Sequence, residues 1–351
     1  MTNQLTIEEI AQLAEVSRST VSRVLNNHPS VRPAVRDRVL SVIREQNYTP
    51  HAAARSLARS RSNTLGLLIP RSPTVSLSDV FISSMIQQIT EAGTSMGYFV
   101  MLAMVTVDME QGFYTHILRG RIFDGIVMFS SDIDDPILPL LIKDRQPFVL
   151  IGSHPYLQNI ISVDIENRDC ARQAVKHLLS LGHWRIGAIN GQLQMEASLA
   201  RRDGYKQALM EAGIGIAPEL IVDGYYTEVG GYRAMQRLLD LPQRPTAVFA
   251  ASDTMAIGAL RAIHDRGLAV PEDIAIASFD DTSNAQYANP PLTTIHQPIA
   301  EMGASAVKLL IDQVKGQTPV ASVRLPAHLV VRSSCGAALQ LPQRKEADHN
   351  T

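Results

Sequence analysis

Cysteine is scarce: Cys170 and Cys335 are the only two in 351 residues. They stand far apart in sequence and without metal-ligand spacing, which excludes a disulfide scaffold and a zinc ribbon. They read as free thiols in a reducing cytosol. The ten histidines form no HExxH pair, and the chain has no phosphate-cradling GxxxxGK loop, no GxSxG elbow and no GxGxxG turn. No metal, no cofactor and no catalytic constellation is therefore expected, and an enzyme is not expected either. No stretch of 18 apolar residues occurs and the first residues lack a basic-then-apolar export signal, so the expectation is a cytoplasmic chain with no membrane partner. Lysine is missing from residues 1–61, which hold nine arginines against five acids and so carry +4; the remainder carries −6. A basic head on an acidic body suits phosphate contact by the head alone.

The head has the pattern of a helix-turn-helix. Ile7, Ile10, Ala11 and Ala14 share one helical face behind a Thr6 cap. Ala14-Glu15-Val16 is a tight turn, and Ser17 is placed to cap a second helix whose Thr20, Val21, Val24 and Leu25 face inward. Arg18, Ser19, Ser22 and Arg23 then point outward near that helix's N-terminus, where a recognition helix meets base edges. A third helix, with Pro33 at its start and Val35, Val39, Leu40 and Ile43 facing in, closes a three-helix core. Glu15 stands where glycine is often found, so about 1 kcal/mol of backbone strain is expected there.

The body alternates apolar runs with amphipathic stretches. Candidate strands are Leu65–Ile69, Tyr98–Ala103, Gly125–Phe129, Phe148–Ile151, Ile186–Ile189, Ala247–Ala251 and Ile274–Phe279. Helical patterns lie between them, as at Ile82–Met96, Asp169–Leu181 and Ala256–Arg266, the last two ended by Gly182 and Gly267. Such alternation predicts parallel sheets with helices on both faces. The length predicts two doubly wound halves with a cleft between them. Ligands in such sheets sit at the carboxyl ends of strands. Polar groups in that position are Arg201, Ser252, Asp253, Asp280 and Asp281, with Tyr226 after Leu220–Asp223. Arg201 only donates and an ionised Asp280 only accepts, so together they can bracket vicinal hydroxyls, while an aromatic face covers a sugar ring. Asp253 reads more readily as a helix cap and Arg202 as a surface charge. Asp281 reads equally as a ligand group or a structural one. Asp79 either caps a helix or meets a hydroxyl. His183, in Gly182-His183-Trp184, reads as structural.

The block Ile-Ala-x-Leu-Ala-x-Val-Ser-x-x-Thr-Val-Ser-Arg-Val-Leu-Asn, from Ile10 to Asn26, resembles the LacI/GalR family of bacterial regulators, and the resemblance runs from about Leu5 to about Cys335. It implies that the positions of Arg18, Ser19 and Arg23 read the major groove. The full DNA-facing set expected is Thr6, Ser17, Arg18, Ser19, Thr20, Ser22, Arg23, Asn26, His51, Ala54 and Leu57. It also implies that His51 to Ala58 forms a hinge helix on operator DNA, with Leu57 wedging into the minor groove; a helix this short is marginal alone, and an apolar wedge kinks the duplex. His51 departs from the usual Asn, and Ala58 from the Lys of some relatives. For the body it implies a two-subdomain doubly wound, periplasmic-binding-protein-like fold with three crossings between the halves, expected near Ser162, Leu292 and Ala321. Effector contacts are implied at Arg201, Ser252, Asp280 and Tyr226; Phe81, in the segment after the first body strand, is expected from its position to reach the ligand as well. The Asn-Pro-Phe-Phe-like run common in relatives is absent after the first body strand, and Phe129 replaces a polar group.

The expected organisation is a helix-turn-helix domain over 1–50, a hinge and linker over 51–62, an effector-binding and dimerisation domain over 63–338, and a disordered tail over 339–351. No leucine heptads close the chain, so a homodimer on a two-fold operator is expected. The reading that follows is a ligand-responsive DNA-binding regulator, a repressor controlled by a sugar or sugar derivative. The alternative is a transport-type sugar receptor with no DNA role, which would need an export signal and no basic head.

Overall fold

A computed structural model describes residues 5–48, 61–70, 77–105, 122–129, 132–157, 160–317 and 322–337. The chain divides into two compact units, Met1–Asn63 and Thr64–Thr351.

The first unit holds α1 (Ile7–Leu13), α2 (Arg18–Leu25) and α3 (Pro33–Glu45). Thr6 caps α1 in a reciprocal box with Glu9, and Ser17 caps α2 by accepting from the Thr20 amide. Pro33 opens α3, where a missing N–H costs nothing. Ile10, Ala11, Ala14, Val21, Val24 and Val39 form the core. Leu40 does not join them; it is 37% exposed, and Val42 lies against the core instead. At 3.6 residues per turn position 40 points about 100° away from position 39, and position 42 only about 60°. Tyr48 is buried here too, which the helical periodicity did not reach. Glu15 adopts φ 51° in the turn, as anticipated. The hinge positions His51, Ala54 and Leu57 lie outside the described residues, as does the tail.

The second unit contains two six-stranded sheets. The first is built from β1 (Thr64–Pro70), β2 (Phe99–Val105), β3 (Gly125–Phe129), β4 (Phe148–Ile151), β5 (Ser162–Ile165) and, from far along the chain, β11 (Val323–Leu325). Its order is β11-β5-β4-β3-β1-β2, all parallel. The second has β6 (Ile186–Asn190), β7 (Ile221–Asp223), β8 (Ala247–Ala250), β9 (Ala275–Asp280), β10 (Thr293–His296) and β12 (His328–Val330) in the order β12-β10-β9-β8-β6-β7. Only β12 runs antiparallel, against β10. Each strand expected from the sequence is present.

Helices cover both faces: α4 (Val80–Ser95), α5 (Ile137–Lys143) and α11 (Ile299–Val314) on the first sheet, and α6 (Asn167–Ser180), α7 (Glu196–Glu211), α8 (Glu228–Leu239) and α9 (Asp253–Asp265) on the second, with short α10 (Ser283–Tyr287) beside α9. The period-2 rule divides β1 accordingly. Leu65, Leu67 and Ile69 join the cluster of Met85 and Ile89 from α4, while Leu68 joins Ile137, Leu138 and Leu141 from α5. Gly182 and Gly267 stop α6 and α9 with φ of 88° and 67°.

The chain passes between the sheets after Ile165, after His296 and between Leu325 and His328. Each passage falls a few residues beyond the expected Ser162, Leu292 and Ala321. Strands β5, β10 and β11 first complete their ladders, spending backbone N–H and C=O groups on their neighbours before the chain leaves.

Candidate functional site

The exposed face of α2 is the first candidate. Arg18, Ser19 and Arg23 are exposed, Ser22 is half-buried, and Asn26 is the C-cap residue. The hydroxyl of Ser17 lies 2.8 Å from that of Ser19 and 2.9 Å from that of Thr20. This ties the N-terminal turn into one polar cluster. Arg18 pairs with Glu8 of α1 at 3.0 Å, both being well exposed. Such a pair contributes about 0–1 kcal/mol and yields readily to a stronger acceptor. Arg36 holds the loop before α3 through the Asn27 side chain and the His28 carbonyl.

The second candidate lies between the two sheets. Arg201, Ser252, Asp280, Tyr226 and Phe81 line one cavity of about 90 Å³, together with Ile69, Asp79, Ile82, Phe129, Met195 and Ala197. Asp280 ends β9 and Ser252 follows β8, as a doubly wound sheet dictates, while Arg201 comes from within α7 and Asp79 from the start of α4. At the floor, Arg201 Nη1 donates to Asp280 Oδ1 at 3.3 Å and to the Ala251 carbonyl at 2.7 Å. Its guanidinium lies 3.7 Å from the Phe279 ring centroid. Burial pushes the Asp280 carboxyl upward, against the pull of Arg201. Phe81 and Phe129 face each other with centroids 6.1 Å apart and form the apolar wall.

This buried pair is fastened to the connections between the halves. Arg201 Nε donates to Asn167 Oδ1 at 2.9 Å, and Asn167 Nδ2 donates to Asp164 Oδ1 at 2.9 Å. Asp164 Oδ2 accepts from the Ser153 hydroxyl and lies 2.8 Å from Arg324 Nη1. Gln297 donates to Asp280 Oδ1 at 2.7 Å. Asp164 and Asn167 flank the first crossing, Gln297 lies in the second, and Arg324 precedes the third.

Among the described residues, contacts cross the cleft at two places. Asp79 caps α4 with Oδ1 and accepts the Thr254 hydroxyl with Oδ2 at 2.7 Å, so it both caps and reaches across. The Ile133 amide donates to the Gln194 carbonyl at 2.8 Å, beside a bridge between Asp132 and Met195.

Several polar residues after strands have structural employment. Ser252, not Asp253, caps α9. Asp253 is buried and accepts from Ser278, Thr294 and both the amide and hydroxyl of Thr282, bolting β9 to β10. Asp281 pairs with Arg332 at 2.7 Å and with His296 at 2.9 Å. His183 meets the Thr246 hydroxyl, and Arg202 pairs weakly with Asp203. Both cysteines are buried and free; Cys335 Sγ lies 3.3 Å from His177 Nε2.

Asn167, Gln297, Ser198, Gly191 and Asn190 were not singled out from the sequence. Tyr226 lies over Gly191, where a Cβ would come within 2.1 Å of its ring, and accepts a hydrogen bond from Ser198. The available signal was that Asn190 ends β6 just as Asp280 ends β9. Backbone strain gathers at the same place: Tyr225, Tyr226, Asp280 and Asp281 all have positive φ.

Residues 6–51 match the model for bacterial regulatory proteins of the lacI family, and residues 175–335 match that for a periplasmic binding protein-like domain. The chain is 36% identical to the HTH-type transcriptional regulator CelR of Thermobifida fusca, covering 94% of this chain and 98% of that one. It is also 36% identical to the HTH-type transcriptional repressor CytR of Escherichia coli K12, covering 95% and 96%. Among solved structures, a CelR–cellobiose complex superposes with TM-score 0.74 at 34% identity, covering 94% of this chain and all of that one. The lac repressor dimer bound to operator and an anti-inducer superposes with TM-score 0.84 at 28% identity, covering 95% and 99%. The chain belongs to the lacI family of bacterial regulatory proteins: it is a ligand-responsive, DNA-binding transcription regulator, not a transport receptor or an enzyme.

Proposed function

We propose that the chain is a cytoplasmic repressor that binds operator DNA as a homodimer and responds to a sugar or sugar derivative held between the two sheets of its second unit. The observation that carries the effector half is the buried Arg201–Asp280 pair in one cavity with Tyr226, Phe81 and Ser252. A donor-only and an acceptor-only group side by side fit neighbouring hydroxyls, and the flanking rings fit the apolar face of a sugar. The solved structures named above support the same reading, one with cellobiose bound and one dimeric on operator. Among the described residues, no helix is long and apolar enough to cross a membrane.

On DNA, Arg18, Ser19, Ser22 and Arg23 address base edges. Thr6, Ser17, Thr20 and Asn26 set the helix against the backbone, and His51, Ala54 and Leu57 serve the minor groove. The cavity of about 90 Å³ is smaller than the roughly 150 Å³ that admits benzene in an engineered core. A sugar therefore needs this space to widen, which the Asp79–Thr254 and Ile133–Gln194 contacts across the cleft oppose. That gives effector a differential affinity for two arrangements of the halves, the requirement for any shift in DNA affinity.

The deciding experiment is operator binding titrated with salt, with and without sugars. About 8 phosphate contacts give a slope of log K against log salt near −7. Arg23→Ala should weaken binding and relax base preference. Retention of sugar but no duplex at low salt would overturn the proposal.

A further inference from the structure

Asn190 is the one residue here whose buried side-chain amide has neither its donor nor its acceptor engaged among the described residues. It is 1% exposed. Both orphan atoms belong to one side chain at the carboxyl end of β6, the strand end at which a doubly wound sheet presents ligand groups. Its backbone is paired with β7, the carbonyl accepting the Gly224 amide at 2.8 Å. Buried polar groups left unpaired are rare, and each calls for a cause.

Its direction follows from the pleat. On β6, Gly187 faces Leu238 of α8, and Ile189 lies against Gly224 and Met255 on the same side. Asn190, one step on, shares the opposite face with Ile186 and Ala188. That face carries α6 and α7, whose Asn167, Ser198 and Arg201 are buried polar residues. The next residue, Gly191, lies directly under the Tyr226 ring and beside the Ser198 hydroxyl. Ser198 and Tyr226 satisfy one another; Asn190 has nothing.

We infer that Asn190 is a specificity-determining residue of the effector site: its amide, which does not line the cavity in this structure, receives a hydroxyl of the sugar when the cleft opens, donating with Nδ2 and accepting with Oδ1, at the end of β6 next to Gly191, which lies against Tyr226. A hydroxyl is the group that both accepts and donates, and so answers both orphan atoms at once. This rests on the reading of the effector as a sugar. The orphan amide is then a feature of recognition: a site built to pair a hydroxyl rejects analogues that lack it, because its own buried group stays unpaired.

The test uses the full chain and two variants, Asn190→Leu, which keeps the shape, and Asn190→Ala. Unfolding temperatures are measured without sugar, operator binding serves as the check on folding, and titration calorimetry follows D-glucose, D-ribose, cellobiose and glucose 6-phosphate. The expected result is an unfolding temperature for Asn190→Leu equal to or above wild type, since no hydrogen bond is lost, with unchanged operator affinity. The sugar that binds wild type should lose affinity about tenfold to a hundredfold. A clear fall in unfolding temperature for Asn190→Leu would mean that the amide has a partner, such as a resident water, in the folded protein, and would overturn the inference. So would equal sugar affinity in wild type and both variants. If wild type bound none of the four sugars, the sugar reading itself would fail and take this inference with it.

Discussion

Arg201 and Asp280 are each held by partners other than one another: Arg201 by Asn167 and a carbonyl, Asp280 by Gln297. Removing one leaves the other charged, buried and short of a partner. Asp280→Ala should therefore destabilise the second unit by about 3 kcal/mol and abolish the effector response, while operator binding persists in protein that remains folded; chemical unfolding and an operator shift assay check both. Asp253 gives a pH signature. Burial raises its carboxyl to about 6 from an ordinary value of 3.8. The folded chain therefore keeps a proton that the unfolded chain has released. Its contribution to stability is full below about pH 4 and is lost as pH rises through about 6. The stability of wild type relative to Asp253→Asn should fall across that window and stay level above it, measured by unfolding at each pH.

At the scale of elements, the turn between α1 and α2 is strained by choice of residue. Glu15 has φ 51°, and its ion pair with Arg38 is long and exposed at 3.9 Å. Glu15→Gly should stabilise the first unit by about 0.5–1 kcal/mol, seen as a higher midpoint for its calorimetric transition. That turn, the caps at Thr6 and Ser17, and the strands of the body were legible because each rests on local periodicity or a single side chain. Leu40 was misread because one helical step separates an inward from an outward face. The edge strands β7, β11 and β12 carry three residues each, too few to show a period. The network through Asn167 and Gln297 escaped notice because its members come from separate crossings, and nothing local to either residue marks it. Asp281 reads equally as a ligand group or a structural one in sequence, because its partners Arg332 and His296 arrive from outside its own segment.

For the second unit as a whole, opening the cleft requires parting the Asp79–Thr254 contact, which involves the second carboxylate oxygen and leaves the α4 cap on the first. Thr254→Val thus removes one cross-cleft hydrogen bond without touching the helix start. A loss of about 1 kcal/mol in the closed form should speed sugar association roughly fivefold, read by stopped-flow fluorescence. An unchanged association rate would show that opening is governed elsewhere.

The chain of hydrogen bonds running from Asp280 and Arg201 through Asn167 to Asp164 and Arg324, with Gln297 on its other flank, ends on the very segments that join one lobe to the other. Asp164 lies outside the cavity lining, yet it braces the group that would greet an incoming metabolite. Lesions in these connecting segments should consequently mimic receptor defects in a genetic screen, producing proteins that grip their target but are deaf to the signal.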